Sequence, residues 1–215
     1  MVDEVKPRRT RRTERAEATR RRVVETAGRL FVERGYRATT IESIADAADV
    51  SVETIYKRFG NKAGLLKAAR ELAVEGAPEP HAFFTFPSVP IDEAIRAASG
   101  QEARLRTLAE LSSRRIERLA PFHRMLRNAG TGDPELAEFV ADDHANRRES
   151  QRANIRFIAE GSPLRLSVEE AAATYSALAN PDVFLLLTDQ FGWTAQNYRA
   201  WLADSVTRLL CTDTG

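Results

Sequence analysis

Hydrophobic residues recur at helical spacing along most of the chain. Apolar side chains between residues 14 and 34 and between 41 and 48 are three and four residues apart, which places them on one face of an α-helix. The same spacing continues through 91–99, 101–118, 121–129, 134–160, 167–179, 181–190 and 194–210. No segment shows the sustained alternation that is typical of a half-buried strand. The pattern therefore predicts an all-α protein.

Residues 39–62 are expected to form two short helices joined by a sharp corner. Thr39 precedes Glu42 by three residues, so the pair can form a capping box at the start of the first helix. Asp49 occupies the corner and can adopt the left-handed conformation that a sharp turn needs. Ser51 follows it and is suited to cap the second helix.

The second helix of this pair has an inward apolar side and an outward polar side. The inward positions are Val52, Ile55 and Phe59, and the outward positions are Glu53, Thr54 and Lys57. Two helices joined in this way form a helix–turn–helix, whose second helix enters the DNA major groove with its N-terminal residues at the base edges. A helical corner in an ordinary α-protein has the same spacing, so spacing alone leaves both interpretations open.

The residues of this region resemble the N-terminal domain of TetR-family transcriptional regulators over about residues 18–75. The shared features are Thr39–Thr40, Ile44–Ala45, Val50–Ser51, Thr54, Tyr56, Phe59, Lys62 and Leu65–Leu66. The sequence departs from the family pattern at Asp49, Glu53 and Arg58, where a glycine, a small residue and a histidine are common. The resemblance implies a three-helix helix–turn–helix domain followed by a larger helical domain for ligand binding and dimerisation.

The candidate DNA-binding residues lie at the helix starts and along the second helix of the pair. They are Thr39, Thr40, Ser51, Val52, Glu53, Thr54, Tyr56, Lys57, Arg58 and Lys62. Free backbone N–H groups at a helix start, with a cation such as Lys62 nearby, suit a phosphate and fix the protein's position on DNA. Glu53 could either accept a hydrogen bond from a cytosine amino group or repel a phosphate.

Charge and proline content divide the chain into parts. Residues 1–15 are rich in arginine and lack apolar periodicity, so we expect a disordered basic arm. This arm is either a solubilising tail or a segment that contacts DNA phosphates or a minor groove. Prolines in 77–90 prevent a continuous helix. We expect this linker to join a DNA-binding domain, 16–76, to a helical regulatory and dimerisation domain, 91–215.

The resemblance also implies an effector pocket between the central helices of the second domain. The candidate lining residues are Leu108, Phe122, His123, Met125, Leu126, Arg127, Phe139, Ile158 and Tyr175, with Leu105, Ile155, Phe157, Leu178 and His144 as further candidates. Each apolar residue among them could equally belong to the core. Asp142, Asp143 and His144 are adjacent on a helix and point in different directions, so no metal site is expected.

The region 167–210 is unusually apolar for a small helical layer, and it includes Phe191, Trp193, Trp201 and Leu209. By resemblance, its helices form a four-helix interface with a second copy of the chain. A two-fold dimer would read a near-palindromic operator with its recognition helices roughly 34–36 Å apart, about one turn of DNA.

Motifs for other classes of protein are missing from the sequence. It contains no phosphate-binding glycine loop, no Gly-x-Ser-x-Gly and no His-Glu-x-x-His, and its single cysteine, Cys211, lies near the end of the chain. No apolar run has transmembrane length, and the polar, basic N-terminus does not resemble a signal peptide. We therefore expect a cytoplasmic protein that is not an enzyme and needs no cofactor.

The sequence as a whole predicts a DNA-binding transcriptional regulator that responds to a small molecule, and the resemblance favours a repressor. Two alternatives remain open. One is a dimeric helical interaction module without specific DNA binding. The other is a helical enzyme that uses His123 or His144.

Overall fold

The computed structural model describes residues 11–75, 93–129 and 134–212, and in these ranges the chain is helical. The helices are α1 (Arg11–Arg34), α2 (Ile41–Ala48), α3 (Val52–Phe59), α4 (Lys62–Glu75), α5 (Glu93–Ala97), α6 (Gln101–Ala129), α7 (Pro134–Gly161), α8 (Val168–Leu178), α9 (Pro181–Leu185) and α10 (Ala195–Leu210). A π-helical turn, Leu186–Gln190, follows α9. No strand occurs in the described ranges, and the predicted all-α class is confirmed.

The chain divides into two compact units, residues 1–83 and residues 84–215. In the first unit, α1 packs against α2 and α4, and α3 packs against α2 and α4. The core of this unit consists of fully or almost fully buried apolar side chains: Val23, Val24, Ala27, Leu30, Phe31, Ile44, Ala45, Ile55, Leu65 and Leu66. Helices α2 and α3 have eight residues each and are too short to be stable alone, so they depend on this burial.

The corner between α2 and α3 has the predicted conformation. Asp49 ends α2 with φ 52° and ψ 56°, in the left-handed region. Its backbone N–H donates to the carbonyls of Ala45 and Asp46, and its own carbonyl accepts from the Arg22 guanidinium at 3.5 Å. These bonds satisfy carbonyl groups that the end of a helix otherwise leaves without partners.

The start of α2 differs from the prediction, because Thr40 rather than Thr39 is the N-cap. The Thr40 hydroxyl accepts from the Ser43 N–H at 3.1 Å, and the Ser43 hydroxyl accepts from the Thr40 N–H at 3.2 Å. Thr39 is completely buried and donates its hydroxyl to the carbonyls of Leu30 at 3.1 Å and Gly35 at 2.8 Å. Thr39 thus adds a side-chain hydrogen bond to two carbonyls at the end of α1 and just after it.

Helix α1 begins at Arg11, so the predicted disorder of residues 11–15 is wrong. Arginine, glutamate and alanine favour a helix, and they extend α1 beyond its apolar face. Residues 1–10 of the predicted arm and the predicted linker, 77–90, lie outside the described residues.

The second unit is built around α6, which packs against α5, α7, α9 and α10. Two separate helices were predicted here, but α6 runs through 29 residues with Pro121 inside it. Pro121 has no N–H to donate to the carbonyl four residues earlier. Buried side chains on both sides of it, including Leu119 and Phe122, keep the two halves in one helix.

Two buried tyrosines connect the helices of this unit. The Tyr175 hydroxyl lies 2.6 Å from the Ser112 hydroxyl and 3.2 Å from the Leu108 carbonyl, which links α8 to α6. The Tyr198 hydroxyl donates to the Leu178 carbonyl at 2.9 Å and links α10 to α8. Burial raises the pKa of both phenols, so they remain neutral hydrogen-bonding groups.

The segment 181–190, predicted as one helix, is divided. Asn180 caps α9 and Pro181 is its first residue. After Leu185 the helix widens into the π-helical turn, whose Asp189 receives two hydrogen bonds from Arg124 at 2.7 and 3.1 Å. Among the described helices, none combines the length and hydrophobicity needed to cross a membrane.

The left-handed conformation of Asp49 generates a prediction about stability. Replacing Asp49 with Gly should raise the free energy of unfolding by up to about 1 kcal/mol, because Gly adopts positive φ without a Cβ clash. Replacing it with Val should lower that free energy by about 1–2 kcal/mol. Urea unfolding followed by circular dichroism measures both changes. A Val variant as stable as the parent would contradict the assigned conformation.

Candidate nucleic-acid interface

The N-terminus of α3 is held by Ser51. The Ser51 hydroxyl oxygen accepts from the Thr54 N–H at 3.3 Å and lies 3.1 Å from the Thr54 hydroxyl. Gly60, with φ 77°, ends the helix and donates its N–H to the Tyr56 carbonyl at 2.9 Å. The predicted cap of α3 is thus confirmed, and the helix is fixed at both ends.

The two sides of α3 are those that the sequence predicted. Ile55 is buried, with 1% of its surface exposed, and Val52 and Phe59 are partly buried. The outward side chains are Glu53, Tyr56, Lys57 and Arg58, which are exposed, and Thr54, which is partly exposed. The outward face therefore carries hydroxyl, carboxylate and cationic groups within two turns of helix.

The charges on α3 follow the direction of the helix dipole. Glu53 is in the first turn, where hydrogen bonds from its own backbone N–H and from the Ser51 side chain lower the pKa of its carboxyl. It is therefore ionised at neutral pH. Lys57 and Arg58 are in the last turn, where positive charge stabilises the helix.

Some of the predicted cations have partners inside the first unit. An Arg58 nitrogen donates to the Ala16 carbonyl of α1 at 3.3 Å. The Lys62 ammonium lies 4.2 Å from the centre of the Tyr36 ring. Both side chains thus help to hold the helix–turn–helix together, a role that the sequence analysis did not assign to them.

Several residues that shape this surface were missed. Ser43 completes the cap of α2, and Arg20 lies over the Phe59 ring at 5.9 Å from its centre. A Cβ added to Gly64 would clash with the Phe59 carbonyl oxygen, so glycine there lets the end of α3 approach the start of α4. Of these features, only the Thr-x-x-Ser spacing of the cap could have been predicted from the sequence. The other contacts join separate helices, so no local pattern indicates them.

Not all residues predicted at the starts of α2 and α4 lie where they were expected. Thr40 is exposed at the start of α2, and Asn61 caps α4 by accepting from the Gly64 N–H at 2.8 Å. Thr39 was assigned to DNA, but its side chain points into the core, so this assignment is wrong.

The candidate effector residues of the second unit fall into three groups. One core cluster contains Leu105, Leu108, Ile155, Ile158 and Tyr175, with Phe157 and Leu178 packed against it. Phe122 and Met125 are buried on α6 beyond Pro121, and that cluster does not include them. His123, Leu126 and Phe139 are partly buried, whereas Arg127 and His144 are exposed. The structure therefore brings only part of the predicted set together.

Comparison with known proteins identifies the class of the first unit. Residues 23–69 match the family model described as "Bacterial regulatory proteins, tetR family". The chain is 48% identical over 50 residues to the uncharacterised HTH-type transcriptional regulator YvkB of Bacillus subtilis. It is 46% identical over 59 residues to the HTH-type transcriptional regulator TtgR of Pseudomonas putida. These matches span 23% and 27% of this chain and only 26% and 28% of the relatives.

Solved structures extend the likeness to the whole fold. The chain is similar to NalD of Pseudomonas aeruginosa, the secondary repressor of the MexAB-OprM multidrug efflux pump, with a TM-score of 0.66 and 21% identity. That alignment covers 93% of this chain and 99% of NalD. It is also similar to FadR of Bacillus subtilis in complex with stearoyl-CoA, with a TM-score of 0.64, 16% identity and coverage of 86% and 96%. Residues 23–69 thus match the TetR family of bacterial regulatory proteins, and the fold of the chain is similar to that of solved transcriptional regulators.

The inward position of Thr39 generates a prediction that separates folding from DNA contact. Replacing Thr39 with Val keeps the shape but removes the buried hydroxyl that bonds to the Leu30 and Gly35 carbonyls, so the free energy of unfolding should fall by about 1–3 kcal/mol. Replacing Thr39 with Ser keeps the hydroxyl and should cost less. Thermal unfolding of the two variants measures the difference. Equal stability of the parent and Thr39→Val would show that the hydroxyl faces solvent instead.

Proposed function

We propose that this protein is a sequence-specific transcriptional regulator, a repressor that binds a near-palindromic operator as a homodimer and is released by a small-molecule effector. The observation that carries the proposal is the outward face of α3, which presents Glu53, Thr54 and Lys57 on a firmly capped helix–turn–helix. Residues at the N-terminal end of such a helix contact base edges in the major groove. The proposal includes a cytoplasmic location and no catalytic activity.

The contacts divide by their expected role. Val52, Glu53 and Thr54 occupy the first turn of α3 and are proposed to face the bases. Thr40 and Tyr56 are exposed, and with Lys57 they are proposed to contact phosphates on either side. Phosphate contacts set the position of the protein on DNA, and base contacts set sequence preference.

A homodimer is supported by apolar surface in the second unit. Phe191 and Leu209 are 67% and 46% exposed, and Leu186 is 39% exposed. Trp193 and Trp201, which are only partly buried, lie with ring centres 6.1 Å apart between the π-helical turn and α10. We propose that the region 167–210, with α8 and α10 as its long helices, packs against the same region of a second copy.

An effector site is proposed between α6, α7 and α8. The apolar residues Leu108, Ile158 and Tyr175 meet there, and the Tyr175–Ser112 hydrogen bond supplies a polar group in an apolar environment. FadR, which has the same fold, is described in complex with stearoyl-CoA, and this supports a ligand-responsive second unit. The effector would act on an equilibrium between a DNA-binding and a released conformation of the protein. It can shift this equilibrium only to the extent that it binds the two conformations with different affinity.

Selection of bound sequences from a random DNA pool tests the proposal. The full-length protein at moderate salt should enrich a short inverted repeat whose halves are about one DNA turn apart. Failure to enrich any sequence, with the protein folded and dimeric, would contradict the proposal. A dimeric interaction module would then explain the chain better.

Lys57 tests the role of phosphate contacts. Replacing Lys57 with Ala should weaken binding to every sequence by a similar factor, because its ammonium is exposed on α3 and is proposed to contact a phosphate. Loss of one contact per subunit should reduce the slope of log affinity against log salt by roughly two for a dimer. Fluorescence anisotropy across a salt series measures the slope. Replacing Arg114 with Ala removes a charge from α6, outside the region 167–210, and should leave the slope unchanged.

Leu209 tests the dimer surface. Replacing Leu209 with Arg places a charge on the proposed interface and should raise the dimer dissociation constant about tenfold or more. Sedimentation velocity over a concentration series measures this change. Val32, a similarly exposed apolar residue on α1, provides the control, because Val32→Arg should leave the oligomeric state as it is. Equal behaviour of the two variants would place the interface elsewhere.

A further inference from the structure

We infer that Glu53 is a specificity-determining residue that selects a cytosine amino group in each half of the operator. This inference rests on the proposed function and goes beyond it by naming a base and the residue that reads it. Glu53 is exposed in the first turn of α3, and the N-terminal end of that helix is the part that reaches base edges.

The backbone donors at the start of α3 are already engaged. The Ser51 hydroxyl oxygen accepts from the Thr54 N–H at 3.3 Å. The carboxylate of Glu53 accepts from its own N–H and from the Ser51 side chain, and both bonds lower its pKa. A helix start usually attracts phosphate through free N–H groups and positive potential. Here an ionised carboxylate occupies that place, so the tip of α3 disfavours phosphate.

The chemistry of Glu53 sets what it can bind. An ionised carboxylate has no hydrogen to donate and only accepts hydrogen bonds. The Thr54 hydroxyl beside it lies 3.1 Å from the Ser51 hydroxyl, and either of these two groups can donate. At the tip of α3, Glu53 therefore requires a donor on the DNA.

The major groove offers few such donors. Cytosine presents its N4 amino group and adenine its N6 amino group, whereas guanine presents only the acceptors N7 and O6. Adenine places the acceptor N7 beside N6, where it repels the second carboxylate oxygen. Cytosine has no acceptor of its own at that edge, so the carboxylate pairs best with its amino group. The Glu53 carboxylate at the tip of α3 therefore selects cytosine.

Parallel selections from a random pool test the inference. The parent protein should enrich an inverted repeat with one cytosine per half that Glu53 variants no longer require. Glu53→Gln, which keeps the shape and adds amide donors, should shift that position toward adenine, because Gln pairs with its N6 and N7. Glu53→Ala should lose the preference for cytosine at that position. The parent's discrimination of roughly 5- to 150-fold between cytosine and the other bases should then fall to near parity.

Glu42 supplies the matched control. It is an exposed glutamate in the first turn of α2, so Glu42→Gln removes the same charge from the same unit. That variant should enrich the parent sequence and change only overall affinity. If both Glu53 variants enrich the parent sequence unchanged, the inference is overturned and the proposed function stands. If the parent enriches no repeat at all, the proposed function fails and the inference fails with it.

Discussion

The structure of the first unit depends on the burial of two short helices that could not persist alone. Nucleating a helix of eight residues is unfavourable, and α2 and α3 are stabilised by the apolar side chains that they share with α1 and α4. Ile44 and Ile55 are the inward residues of this pair, and they are at most 1% exposed. Because each helix is anchored by its apolar side, its opposite side is left free to carry polar groups. The packing of the small core therefore determines which side chains of α3 form the proposed DNA-reading surface.

Most of this unit could be predicted because its signals are local. The apolar spacing of α2 and α3, the caps at Ser51 and Asn61 and the left-handed Asp49 are all determined within a few residues. The predicted Thr39 cap failed because Thr40 and Ser43 satisfy the same pattern one residue later. The Thr39 hydroxyl bonds to a buried carbonyl of α1, so Thr40 and not Thr39 takes the N-cap position of α2. That carbonyl is nine residues away from Thr39 and leaves no mark in the local sequence.

Other differences come from contacts between elements that are distant in sequence. Arg58 was predicted to contact DNA and its side chain is exposed, but one of its nitrogens also donates to the Ala16 carbonyl, 42 residues earlier, which the local sequence does not indicate. Residues 101–118 and 121–129 were predicted as separate helices, but buried side chains on both sides of Pro121 outweigh its local cost of about 3 kcal/mol and keep α6 continuous. In the second unit, the sequence predicted the helices but could not show which candidate effector residues share a core. That arrangement depends on how α6, α7 and α8 pack together.

Gly64 makes the junction between α3 and α4 intolerant of mutation. The constraint comes from space and not from backbone conformation, since a Cβ at this position would meet the carbonyl oxygen at the end of α3. Every missense change in the codon for residue 64 adds a Cβ, so even alanine would push the two helices apart. The outward residues of α3 can vary without such a penalty. Among variants of this gene, codon 64 should thus remain fixed while the codons for the reading face diversify.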